Sequence, residues 1–246
     1  AATTITDGNY EILYYTSNNE EVKTAALTVA GGDYLDRTIE TGGSLTTFSF
    51  SALVKGNAFG GMQTLFGSFG IDDYEDSLSF FGNQLGMARN GAISRGGFFS
   101  SRTFEEGAWY HIVLSVDTTA ANPADRLRLF VNGTQETAFD ALYQPAQNST
   151  WQFNAAGATQ SIGRHNTGGT ANLDLEHLEL VDGVAHGAEA FGTLIDGVWY
   201  HSGHDGSYGT NGFHLDFADS QNIGDDVAGD NDWATHGLDS GNTSAG

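Results

Sequence analysis

Alternation with a period of two runs through the middle of the chain. In Trp109-Tyr110-His111-Ile112-Val113-Leu114-Ser115-Val116-Asp117, the residues Tyr110, Ile112, Leu114 and Val116 share one face. Trp109, His111, Ser115 and Asp117 share the other. Arg126-Leu127-Arg128-Leu129-Phe130-Val131 repeats the pattern, with Leu127, Leu129 and Val131 inward and Arg126, Arg128 and Phe130 outward. Successive strand side chains point to opposite faces, so both runs predict half-buried strands. Asn132-Gly133 follows, and both residues tolerate the positive φ that a tight hairpin turn needs.

The pattern extends in both directions. Residues 10–15 and 22–29 predict two strands around the polar turn Ser17-Asn18-Asn19-Glu20. Residues 45–55 predict a long strand with Phe48, Phe50, Ala52 and Val54 on one face and Thr47, Ser49 and Ser51 on the other. Apolar segments at 62–69, 78–81, 85–88 and 96–99 continue toward the central pair, whereas 135–150, with Pro145, reads as loop. In residues 172–182 the apolar positions run Leu173, Leu175, then Leu178, Leu180. That change of parity predicts a β-bulge near Glu176-His177. Residues 237–246 are small and polar, and disorder is expected there.

The run "WYHIVLSVD" followed by "DRLRLFVNG" resembles the centre of a laminin-G-like, or concanavalin-A-like, domain. Tyr34-Leu35-Asp36-Arg37, Thr159 to Arg164 and the Asp182-Gly183 turn resemble flanking segments of the same family. The resemblance implies an all-β fold, an antiparallel jelly-roll β-sandwich. The expected organisation is an N-terminal arm over 1–30, the sandwich over 31–200 and an acidic C-terminal extension over 201–246. This sandwich hosts lectins, hydrolases, adhesion modules and virion proteins, so the fold alone does not set the function.

Composition narrows the field. The 246 residues include no cysteine, which excludes disulfides, thiolate metal sites and a cysteine nucleophile. The formal net charge is -22, and every Lys and Arg lies between Lys23 and Arg164. Residues 165–246 carry 14 acidic side chains, no basic one, and seven of the eight histidines. Such a surface repels DNA, RNA and anionic headgroups, so neither nucleic acid nor membrane is expected as a partner. Solvation of charged faces and binding of cations both account for the acidity.

Several clusters could carry chemistry. Asp72-Asp73-Tyr74-Glu75-Asp76, and Asp225, Asp226, Asp230 and Asp232, offer oxygen ligands suited to calcium, against a reading of the first as a solvated acidic loop and of the second as a turn packed over Trp233. His201, His204 and Asp205 offer imidazole and carboxylate to zinc or nickel, against a reading as exposed loop residues. Asp174, Glu176 and Glu179 resemble the E-x-D-x-x-E strand of laminarinase-like glycoside hydrolases, with the first two acids exchanged. The exchange shortens the supposed nucleophile by a methylene, and a misplacement near 1 Å costs about a hundredfold. The expectation is a protein that is not an enzyme.

The segment from Gly206-Ser207-Tyr208-Gly209-Thr210-Asn211-Gly212-Phe213-His214-Leu215-Asp216-Phe217 to Trp233 resembles bacteriophage virion proteins that carry a laminin-G-like domain. It implies display on the virion surface as a head decoration, head fibre or tail fibre. Other virion proteins and host-surface glycan would be the partners, and a homotrimer is the expected assembly. Trp199, Tyr200 and Tyr208, in a Gly-rich and expectedly exposed loop, are the candidate sugar-stacking residues. His214 is expected to face outward from its strand. The alternatives are a lectin-like module of a secreted protein and a glycoside hydrolase built on Asp174, Glu176 and Glu179.

Overall fold

A computed structural model describes residues 5–7, 10–14, 25–71, 74–166 and 169–245. Two large antiparallel sheets face each other. The first runs, edge to edge, Thr134–Gln135, Leu127–Val131, Trp109–Asp117, Thr47–Gly56, Leu173–Asp182, Ala25–Val29 and Thr243–Ala245, with Phe213–Leu215 also paired to Leu173–Asp182. The second runs Phe139–Tyr143, Gly97–Thr103, Gln84–Ala88, Tyr74–Phe81, Met62–Ile71, Thr159–Ile162, Tyr34–Thr38 and Ala234–His236. This is the jelly-roll sandwich that the alternation and the resemblance lead one to expect.

The inward-facing residues of the two sheets make one core. Tyr110, Ile112, Leu114 and Val116 meet Leu127, Leu129 and Val131 there, alongside Phe48, Phe50, Ala52 and Val54. Phe66 is its centre, stacked between Phe50 at 4.7 Å and Phe153 at 4.8 Å between ring centroids. Ring pairs at such offsets add about 0.5–1.5 kcal/mol each beyond the area they bury. Asn132 and Gly133 both hold positive φ (47° and 75°), as a type I′ turn requires. The Leu173–Asp182 strand slips register between Glu176 and Glu179, with His177 at φ 45°, which is the bulge at its expected place.

Several boundaries differ from expectation. Ala25–Val29 is an internal strand of the first sheet, with Leu27 and Val29 fully buried, rather than part of an arm. Phe139–Tyr143 forms an edge strand in what reads as loop; Leu142 and Tyr143 are exposed, so burial leaves no trace in the pattern. Residues 201–246 are woven into both sheets through Phe213–Leu215, Ala234–His236 and Thr243–Ala245, not appended to them. Residues 237–245 are likewise ordered by pairing, helped by a capping box of Asp239 and Asn242. Residues 15–24, including the turn at 17–20, lie outside the described residues.

Arg37 fastens the C-terminal segment. Its guanidinium donates to Gln160 Oε1 at 2.7 Å, to the Asn231 carbonyl at 3.2 Å and to the Asn211 carbonyl. It also lies over the rings of Phe213 and Trp233, at 5.0 and 5.2 Å. Burial lowers its pKa to about 10, with Asp226 and Asp182 opposing the shift, so it keeps its charge at neutral pH. Asp182 plays the matching part for the "DG" turn: its carboxylate accepts from Ser44 N–H, Asn154 Nδ2 and Asn211 N–H.

Candidate functional site

The bulge decides what the outer face of the first sheet carries. An unbroken strand would point Glu176 and Glu179 to opposite faces; the extra residue returns both to the same one. Glu176 lies opposite Leu53 and Glu179 opposite Ser51. In the neighbouring strand His111, Val113 and Ser115 occupy this face, so it presents a histidine and two carboxylates on a half-apolar floor.

A third layer closes over that floor. The hairpin Gly192–Ile195 and Val198–His201 turns at Asp196 and Gly197, both at positive φ, and extends in parallel pairing to Tyr10–Tyr14. Trp199 and His201 point inward from it. Trp199, 3% exposed, packs with Val113, Phe130, Val181 and Phe191 in a second apolar cluster. Phe130 thus faces outward from its strand and is still buried. Gly133 makes room for the indole, because a Cβ there would lie 2.1 Å from the Trp199 ring.

Beneath the hairpin the polar groups pair. Trp199 Nε1 donates to His111 Nδ1 at 2.9 Å, and His111 Nε2 sits 2.8 Å from Ser51 Oγ. Indole N–H only donates, so His111 Nδ1 is the acceptor and Nε2 carries the proton. Burial holds His111 and His177 well below the usual histidine pKa, and the field of His201 adds to it. His177 Nδ1 lies 3.0 Å from His214 Nε2, so His214 turns into this cluster instead of out to solvent. Glu179, with no exposed surface, takes three donors: His201 Nε2 at 3.2 Å, His204 N–H at 2.8 Å and Tyr208 O–H at 2.7 Å. Burial alone would raise its pKa. The His201 hydrogen bond, the fields of His214 and His201 and the His204 N–H outweigh it and hold Glu179 well below the usual carboxylate range. Tyr208 is driven up by burial and by that carboxylate, so it stays a neutral donor.

This arrangement places the sequence candidates differently from expectation. Trp199 is sealed in, not displayed, because its indole is the lid of the second cluster. Tyr208 is half-buried with its hydroxyl spent on Glu179; Tyr200 is half-buried on the hairpin. His201 and His204 come together through Glu179, while Asp205 is exposed. Asp174, the third acid of the hydrolase-like strand, accepts from Lys55 Nζ at 2.6 Å, Asn57 Nδ2 at 2.7 Å and Thr28 Oγ1 at 2.8 Å. Burial works against its ionisation, but these three bonds and the Lys55 charge win and lower its pKa. A glycosidase needs a carboxyl whose pKa is raised, to protonate the leaving oxygen. Asp174 and Glu179 are both shifted the other way.

The remaining acids organise backbone. Asp226 Oδ1 accepts from His214 and Ala228 N–H, and its Oδ2 accepts from Asn231 N–H. Asp232 accepts from Asp226 N–H, Asp225 from Asn222 Nδ2, and Asp230 is exposed. Among the described residues no three His, Asp or Glu side chains gather as a metal site would require. Asp72 and Asp73 lie outside the described residues; Glu75 and Asp76 are buried, not solvated in a loop. Burial raises Glu75 to about 7 and Asp76 to about 6, partly offset by the N–H groups that they accept. Outward parity was the signal for His111; nothing in the sequence signalled the lid that buries it.

Two packed antiparallel sheets, a bulged strand with acids on its outer face and a closing DG turn define a laminin-G-like sandwich domain. The chain belongs to the concanavalin A-like lectin/glucanases superfamily, whose family model matches residues 29–176. Its fold is similar to a heptameric SAP-like pentraxin from Limulus polyphemus, at 16% identity and a TM-score of 0.51, over 68% of this chain and 79% of that one. It is also similar to a Bacteroides ovatus protein described as carbohydrate-binding, at 17% identity and a TM-score of 0.53, over 70% of this chain and 47% of that one. At these identities the likeness is one of fold. No curated protein matches the sequence.

Proposed function

We propose that this chain is a non-catalytic carbohydrate-binding module. The family joins lectins with glucanases, and one observation favours the first: the acidic face of the bulged strand is sealed. Glu176 is 2% exposed and Glu179 fully buried, beneath a hairpin anchored by Trp199. A sugar ring has no way to lie between them, and Glu179 is ionised and fully hydrogen-bonded. The test pairs two assays on the intact chain. Binding to an oligosaccharide array with no reducing sugar released from β-glucans is the expected result. Release of sugar that disappears in Glu179→Gln with the fold intact would overturn it.

Display on a bacteriophage particle is the finer reading. It is favoured by the resemblance of residues 206–217, which form part of the strand pairing and turn contacts around Asp226 and Arg37. Cryo-EM of source particles tests it: copies of this chain in the head or tail density support display, and particles that lack the chain refute it.

A further inference from the structure

The C-terminal segment forms a groove of about 320 Å³, mostly polar, and none of the side chains that contact Glu179 lines it. That is the low end of the size range of small-ligand sites, about 300–1,000 Å³. Its apolar floor comprises Ile223, Trp233 and Leu238, and Gln221, Thr235 and Asp239 stand among its polar walls. The walls are fixed by backbone geometry. Trp233 N–H donates to the Gly224 carbonyl at 2.8 Å, and Gly224 has no room for a side chain because a Cβ would lie 1.9 Å from the Trp233 carbonyl oxygen. Pairing of Ala234–His236 with the Tyr34–Thr38 strand holds one wall, and the Asp239–Asn242 capping box holds another. A groove whose shape is set before binding loses little entropy when a ligand enters.

The groups it offers are those that recognise a sugar. The Gln221 amide and the Thr235 hydroxyl are exposed and make no side-chain hydrogen bond among the described residues. An amide and a hydroxyl can each donate and accept, as the hydroxyls of a pyranose require. Of the apolar lining only the half-buried Leu238 reaches the surface, since Ile223 and Trp233 are nearly sealed, so hydrogen bonds more than ring stacking would hold the sugar. Charge sets the subclass. No Lys or Arg occurs after Arg164, and Asp219, Asp225 and Asp239 lie in or beside the groove. Asp239 is the one charged side chain in the groove's lining, and the nearest guanidinium, Arg37, lies buried behind Trp233, so a carboxylated or sulfated sugar would meet like charge at the groove's surface.

We propose that this groove is the saccharide site, and that it takes a neutral or amino-sugar end group. The inference rests on the carbohydrate-binding reading above. The experiment uses the full chain and an array of neutral, amino and sialylated or sulfated oligosaccharides, with Thr235→Trp to fill the groove. Leu194→Trp, at an exposed position on the hairpin, serves as the control, and circular dichroism checks that both variants fold. Binding of neutral or amino sugars by the parent and by Leu194→Trp, lost at least tenfold in Thr235→Trp, is the expected result. Equal binding by all three proteins would overturn the groove while leaving the carbohydrate-binding reading in place. Binding confined to acidic sugars would overturn the subclass. If the parent binds no sugar of any class, the carbohydrate-binding reading falls and the groove falls with it.

Discussion

Replacing Glu179 with glutamine should destabilise the protein by about 2 kcal/mol at neutral pH. The carboxylate accepts from His201 Nε2, His204 N–H and Tyr208 O–H. Hydrogen bonds to a charged group contribute about 1.5–3 kcal/mol and neutral ones about 0.5–1.5, so neutralising the acceptor loses roughly 1 kcal/mol on each of three bonds. Glutamine also escapes the cost of burying a charge, which returns part of that sum and leaves about 2 kcal/mol. The pH dependence has a definite sign. The folded pKa of Glu179 lies below its unfolded value of about 4.3, so its contribution is present above that pH and is lost as pH falls toward the folded pKa. The gap between parent and variant should therefore be full at pH 7 and narrow below about pH 4. Urea unfolding followed by tryptophan fluorescence measures the gap, and hydrogen exchange over residues 192–201 should show the lid loosening first. A variant within 0.5 kcal/mol of the parent at pH 7, or more stable than it, would refute the reasoning. It would instead fit an active site, where an unmet charge costs stability for the sake of chemistry.

Three other outcomes follow from the same contacts. Glu75, raised to about 7 by burial, takes up a proton on folding, so its cost appears as pH rises from about 4.5 through 7; Glu75→Gln should raise stability at pH 8 by up to about 3 kcal/mol and change it little at pH 4, by thermal melts at both. Gly133→Ala combines a φ of 75° with a Cβ 2.1 Å from the Trp199 ring, and should cost more than 2 kcal/mol, whereas Gly107→Ala, also at positive φ but in open space, should cost about 1 in parallel denaturant titrations. His111 should remain the Nε2–H tautomer and stay neutral at the ordinary histidine midpoint, about pH 6.5, a state that nitrogen-15 NMR of the imidazole reads directly; a ring half-protonated there would contradict its burial and its bond from Trp199.

The fold was legible because its strands are two-faced. Parity alone assigns Tyr110, Ile112, Leu114 and Val116 to the core, and a change of parity after Leu175 locates the bulge. The site was harder because the outer face of one sheet is buried as well. Alternation distinguishes one side of a strand from the other, and it says nothing about whether a third layer arrives. Trp199 and His201 read as loop residues beside glycines, yet a four-residue strand with a two-residue turn carries them inward. Phe139–Tyr143 escaped for the opposite reason, since an exposed edge strand needs no apolar face. Asp182 was visible as charge but not as a turn organiser, because the N–H groups that it accepts, from Ser44 and Asn211, come from segments distant in sequence.

The C-terminal strands also set an order of events during synthesis. The bond of His236 to Asp36 spans 200 positions, and Thr243–Ala245 pairs with Ala25–Val29, near the other end of the chain. At about 5–20 residues per second, a ribosome takes roughly 10–40 s to cover that separation. During that interval Tyr34–Thr38 is an open edge, and Arg37 has been made before Phe213, Trp233 and the carbonyls of Asn211 and Asn231 that will hold it. The nascent sandwich must wait with both sheets unfinished, and contacts of such long range make its closure slow.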